Sequence, residues 1–96
     1  IEVVNMTNRR HLDRELILVR VAVKDRVSRG DVVDLASLFT ARVVAVQEES
    51  VTIQMVGNQE TVADFLRLLK PYEIIDISRS GVIAVGREVV DHENAK

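Results

Sequence analysis

The chain has 96 residues, with 13 basic and 15 acidic side chains and a formal net charge of −2 at pH 7. Its charges are interspersed and it holds three aromatic residues, which argues against a surface that binds a phosphate backbone and stacks bases. It has no cysteine, so disulfides, thiolate metal sites and thiol nucleophiles are excluded. A membrane-spanning helix needs about 20 apolar residues, and no apolar run in this sequence approaches that length.

The first predicted element is a strand over residues 14–23, an aliphatic run without Gly or Pro. One face of this strand is wholly β-branched: Ile17, Val19, Val21 and Val23. The other face is apolar apart from one charge: Leu16, Leu18, Arg20 and Ala22. A strand that is apolar on both faces lies inside a sheet with something packed on each side. The chain's own helices can cover one face, so the functional question is what covers the other.

Arg20 is the least ordinary residue of that strand, and two interpretations of it stay open. It is either an arginine at a sheet edge, with its stem packed and its head in water, or half of an ion pair across an interface.

The rest of the chain predicts alternating helices and strands. The elements are a helix at 31–40, strands at 42–47 and 51–57 joined by a turn, a second helix from 58–60 to Pro71, and a strand at 73–78. A partial capping box, Ser28 to Asp31, marks the start of the first helix. Residues 79–81 are predicted to be a turn, and residues 82–87 a further short extended run that forms an extra C-terminal strand.

The order strand, helix, strand, strand, helix, strand predicts an α+β fold, a ferredoxin-like βαββαβ two-layer sandwich of ACT-like topology. Right-handed crossovers place both helices on one face of the antiparallel sheet and the first strand in its interior.

Residues able to carry chemistry are sparse. The two histidines, His11 and His92, are predicted in a linker and a polar tail, far apart in sequence. Glu48 and Glu49 are adjacent in a predicted turn, where carboxylates are usually solvated. We therefore predict no catalytic, cofactor-binding or metal-binding residue on this chain.

Four motifs in register resemble the C-terminal domain of the acetolactate synthase (acetohydroxyacid synthase) regulatory small subunit. Residues 13–21 (DRELILVRV) are similar to its RELxL[IV][KR]V run, and residues 38–46 (LFTARVVAV) to its F[RT]A[KR]xVDV, with Ala45 in place of Asp. Residues 51–57 (VTIQMVG) are similar to its xT[IL][QE][VLM]xG, and residues 77–85 (ISRSGVIAV) to its [VI]xR[ST]Gx[IV]A[LV]. The agreement extends from about Leu12 to Arg87.

The resemblance implies a non-catalytic regulatory subunit that binds and activates a separate catalytic large subunit and helps to convey feedback inhibition by valine, leucine or isoleucine. Thiamine diphosphate, FAD and magnesium are expected on the catalytic partner, and no cofactor on this chain. In the family the amino acid binds an N-terminal ACT domain. Residues 1–11 are accordingly expected to be a linker from a preceding ACT domain absent from this sequence, residues 12–88 the C-terminal ferredoxin-like domain, and residues 89–96 a flexible tail.

We also expect a homodimer, formed by the uncovered sheet face, and no binding to nucleic acid or membrane. The expected location is the cytoplasm, or the plastid stroma in a photosynthetic eukaryote. The residues predicted to form the partner interface are Leu16, Leu18, Arg20, Arg79, Ser80, Gly81, Val82 and Arg87. The alternative is a free-standing dimeric amino-acid sensor of ACT-like fold, and a small enzyme of the same topology is a third class.

Overall fold

The computed structural model describes residues 11–86, which form one four-stranded sheet and two helices. In chain order the elements are β1 (His11–Ala22), α1 (Arg26–Leu38), β2 (Arg42–Gln47), β3 (Ser50–Gly57), α2 (Gln59–Leu68) and β4 (Ile74–Gly86). The strand order is β2-β3-β1-β4 with every neighbouring pair antiparallel, so β1 lies inside the sheet. The predicted ferredoxin-like topology is confirmed. The predicted linker and tail lie outside the described residues, except that His11 already begins β1.

The hydrophobic core lies between one face of the sheet and the two helices. Because side chains alternate along a strand, every second residue of β1 points into this core. Its fully buried members are Ile17, Val19, Val21 and Val23 near β1, Val51, Ile53 and Met55 of β3, Val32 and Ala36 of α1, and Val62, Phe65 and Leu69 of the α2 region. Both helices therefore cover the same face, as the right-handed crossovers predict.

The first helix differs from its prediction in both bounds. It begins at Arg26, because Asp25 rather than Ser28 is its N-cap. The Asp25 carboxylate accepts the Ser28 backbone N–H at 2.8 Å, and the Asp25 backbone N–H donates to Ser28 Oγ at 3.2 Å. The capping box thus has its carboxylate first and its hydroxyl three residues later. The helix ends at Leu38, and Thr40 beyond it has a positive φ of 56°.

The second helix agrees with its prediction. Asn58 is the N-cap, and its side-chain oxygen accepts the Thr61 backbone N–H at 2.8 Å. The helix ends before Pro71, at Leu68.

The predicted turn at residues 79–81 is wrong, because β4 runs unbroken from Ile74 to Gly86. Glu15 lies opposite Val82 and Ile17 lies opposite Arg79, so the single residue Leu16 faces two residues of β4. This arrangement is a β-bulge, and Gly81 within it has a positive φ of 87°, as the glycine of a G1-type bulge does. The glycine that suggested a chain reversal instead keeps β4 in the sheet.

The outer half of β4 extends the sheet beyond β3. The last residue of β3, Gly57, pairs with Glu15, whereas β1 and β4 stay paired as far as His11 and Gly86. We call residues 11–14 together with residues 83–86 the arm. The apolar run predicted as a separate extra strand is therefore part of β4.

Candidate partner interface

The second face of the sheet carries no helix of the described chain, and we call it the open face. Residues directly opposite one another in an antiparallel ladder share a face, so the register defines its members. They are Leu12, Arg14, Leu16, Leu18, Arg20 and Ala22 of β1, Arg42 and Ala45 of β2, Thr52, Gln54 and Val56 of β3, and Asp76, Ser78, Ile83 and Val85 of β4.

Two leucines lie near the middle of this face. Leu16 and Leu18 are 36% and 38% exposed, although β1 is paired on both sides and the residues between and beside them are fully buried. Val56, opposite Leu16 on β3, is 54% exposed. Large apolar side chains on an inner strand are normally covered, so this patch is typical of an interaction surface.

The arm continues the apolar surface past the end of β3. Leu12 is 43%, Ile83 75% and Val85 64% exposed, and register places all three on the open face. Together with Arg14 and Ala84 they line a shallow depression of about 230 Å³. An isolated two-stranded ribbon is marginally stable in water. Covering the arm would therefore stabilise it.

The charges within the strands of the open face are mostly positive. Arg14, Arg20 and Arg42 lie on it, against the single carboxylate Asp76, which is opposite Arg20. Among residues 11–86 no carboxylate oxygen comes within 4.0 Å of the Arg20 guanidinium. Arg20 is half-buried on an inner strand, so the sheet-edge interpretation of this residue is wrong.

Acidic side chains gather at one end of the sheet instead. Glu48, Glu49 and Glu73 line an open depression with Lys24 and Ser50, next to Ala22. The open face is thus basic and apolar from the arm to its middle, and acidic beyond its far end.

The residues predicted as interface separate into two groups in the structure. Leu16, Leu18 and Arg20 share the open face, as predicted. Arg79 lies opposite Ile17 and so points to the helix side of the sheet. There its Nε and Nη2 donate to the two carboxylate oxygens of Glu15, at 3.0 and 2.8 Å.

This ion pair favours the ionised form of Glu15. The Glu15 side chain is 4% exposed, whereas that of Arg79 is 49% exposed. Hydrogen bonds from Arg79 hold the pKa of the Glu15 carboxyl below its usual range against the opposing effect of burial, with the Gly81 backbone N–H adding to the stabilisation. The carboxylate that Glu15 would otherwise leave unpaired on the helix side is therefore satisfied across the bulge.

Ser80 and Gly81 also serve the bulge. The Leu16 backbone N–H donates to Ser80 Oγ at 3.0 Å, and this hydroxyl donates to the Gly81 carbonyl at 2.9 Å. Val82, opposite Glu15, is 42% exposed on the helix side. Arg79, Ser80 and Gly81 thus have a role within the chain, and the contact of these residues and Val82 with a partner stays a prediction. Arg87 lies outside the described residues.

Several open-face residues were missed from the sequence. Arg14 lies two residues before Leu16, so the same alternation that placed Leu16 and Leu18 together indicates it. The placement of Arg42 on the open face follows only from the pairing of β2 with β3. The placement of Ile83 and Val85 follows only from the continuation of β4 past Gly81. Glu15 as the partner of Arg79 had no local signal, because 64 residues separate the two.

Across residues 11–86, no three acidic or histidine side chains come together as a candidate metal site. No helix in that range is long and apolar enough to cross a membrane.

Comparison with known proteins identifies the family of this chain. The family model described as the small subunit of acetolactate synthase matches residues 14–88. An acetolactate synthase small subunit of Mycolicibacterium smegmatis is 39% identical over 87 residues, covering 91% of this chain and 51% of that protein. A protein of Aquifex aeolicus with the same name is 30% identical over 89 residues, covering 93% of this chain and 46% of that protein.

A solved structure has the same fold. The acetolactate synthase small subunit from Thermotoga maritima superposes with a TM-score of 0.75 at 24% identity, over 83% of this chain and 48% of that one. The chain thus spans about half the length of the bacterial relatives it matches. With the family model covering most of its residues, the chain belongs to the acetolactate synthase small-subunit family.

Proposed function

We propose that this chain is the part of a regulatory subunit that binds and activates the catalytic large subunit of acetolactate synthase. The proposal rests on the open face of this chain, which belongs to the small-subunit family. Leu16 and Leu18 stay exposed on an inner strand, next to an exposed apolar arm. A domain whose sheet is half covered and whose described residues assemble no metal cluster is suited to binding another protein.

In this role the chain does no chemistry. Thiamine diphosphate, FAD and magnesium belong to the catalytic subunit, and this chain holds none of them. It helps to convey feedback inhibition by valine, leucine or isoleucine, with the amino acid bound by another domain of the regulatory subunit. The chain works in the cytoplasm, or in the plastid stroma of a photosynthetic eukaryote. In support of the second location, small subunits of Nicotiana plumbaginifolia and Arabidopsis thaliana are named chloroplastic.

The test is to add the protein to purified catalytic subunit from the same organism and to measure acetolactate formation. We expect the rate to rise and then saturate as the protein is titrated. A rate that stays constant, together with no complex in sedimentation, would contradict the proposal.

A further inference from the structure

The open face combines an apolar centre with arginines that have no carboxylate partner within 4.0 Å among residues 11–86. Leu12, Leu16 and Leu18 form a stripe about 20 Å long along β1, since a strand advances about 3.4 Å per residue. Arg14 and Arg20 lie on the same stripe. Arg42 of β2 pairs with Gln54 of β3, which in turn pairs with Leu18, so Arg42 lies two strands away from Leu18 on the same face. Three guanidinium groups and one carboxylate give these strands a positive surface on a chain whose formal net charge is −2.

A second copy of the chain fits this surface poorly. Two copies stacked face to face around Leu16 and Leu18 by a two-fold axis have two limiting arrangements, with their β1 strands parallel or antiparallel. With β1 strands parallel, Arg14 meets Arg14 and Arg20 meets Arg20. With the two β1 strands antiparallel and the two-fold axis passing midway between Leu16 and Leu18, Arg14 of each copy lies over Arg20 of the other. Both arrangements bring like charges together in an interface that excludes water, which is unfavourable.

We infer that the open face, from Leu12 to Arg20, receives an apolar surface of the catalytic subunit that is flanked by aspartate or glutamate side chains. The inference rests on the proposed function and specifies which surface of this chain the partner covers. Apolar side chains of the partner pack on Leu16, Leu18 and the arm. Its carboxylates pair with Arg14, Arg20 and Arg42, which satisfies the three guanidinium groups as the interface excludes water.

The experiment measures the affinity of the protein for purified catalytic subunit with matched pairs of variants. Leu18→Lys places a charge in the apolar centre, and Leu68→Lys is its control, because Leu68 is 46% exposed on α2. Arg20→Glu reverses a charge on the open face, and Arg26→Glu reverses an exposed charge at the start of α1. Circular dichroism and thermal unfolding of each variant verify that it is folded.

We expect Leu18→Lys and Arg20→Glu to weaken binding by about tenfold or more, and the two controls to bind as the wild type does. Binding of the wild type should weaken as salt is raised, and that dependence should be smaller for Arg20→Glu. If the wild type does not bind, the proposed function fails. If it binds and the folded open-face variants bind equally well, only this inference fails. Loss of self-association in Leu18→Lys without loss of catalytic-subunit binding would show that a second copy covers the face.

Discussion

Arg79 donates two hydrogen bonds to Glu15 across the β1–β4 bulge, at 3.0 and 2.8 Å. Glu15 is almost fully buried at the end of the helix-covered face, where an unpaired carboxylate would be costly. The pair therefore links β1 and β4 next to the point where the arm begins. It also explains why Arg79 lies on the side of the sheet opposite to Leu16 and Leu18.

The first prediction concerns pH. The Glu15 pKa is lower in the folded chain than its ordinary value of 4.5, chiefly because of hydrogen bonds from Arg79. The folded state thus binds the carboxyl proton less tightly than the unfolded state does. The resulting stabilisation is fully present above about pH 4.5 and is lost as the pH falls through the lower folded-state value.

Denaturant unfolding of the wild type and Glu15→Gln between pH 7 and pH 3 measures this contribution. Glutamine has nearly the same size and removes the titration. We expect the difference in unfolding free energy between the two proteins to shrink as the medium becomes acidic. A difference that is independent of pH would contradict the role assigned to the pair.

The second prediction contrasts two glycines with open space around them. A Cβ atom at either Gly30 or Gly81 would meet nothing within 4 Å, so only backbone conformation separates the two positions. Gly81→Ala should destabilise the fold by about 1–2 kcal/mol, because Gly81 has a φ of +87°. Gly30→Ala, inside α1, should stabilise it by about 0.5–1 kcal/mol. Thermal unfolding of both variants checks the opposite signs, and equal effects would refute the conformational argument.

Sequence patterns predicted the part of the fold that depends on local periodicity. Alternation placed Leu16, Leu18 and Arg20 on one face of β1, and helical spacing identified Val62 and Phe65 as buried. The errors fall where one residue type permits two local structures. Gly81 suits a turn and a bulge equally well, and only pairing with β1 decides between them. At α1, Asp25 and Ser28 are both good N-caps, and the reciprocal bonds between them selected the earlier one.

The third prediction concerns amino acids. The described part of the chain offers open, shallow depressions, such as the one beside Leu12 and Ile83. We therefore expect no saturable binding of valine, leucine or isoleucine by this chain. Calorimetry at micromolar to millimolar amino acid checks this. A stoichiometric micromolar site would support the amino-acid sensor instead.

The fourth prediction concerns self-association. β4 is an edge strand of 13 residues without Lys or Pro, and its protection against edge pairing is limited to the bulge at Gly81 and the charges of Asp76 and Arg79. The sequence alone predicts a homodimer formed by the open face. Because we assign that face to the catalytic subunit, we now expect the homodimer to pair through the β4 edge instead. Light scattering should then give the same dimeric mass for the wild type and for Leu18→Lys. A monomer at high micromolar concentration would contradict the expectation.

The most direct measurement is hydroxyl-radical footprinting of the chain with and without the catalytic subunit. It reports the solvent accessibility of individual side chains in the assembled complex. We predict that Leu16, Leu18 and Ile83 become protected in the complex. Val27 and Leu38, which are 72% and 78% exposed in the α1 region, should keep their reactivity. Unchanged reactivity of the open face in a complex that protects Val27 or Leu38 would contradict the account.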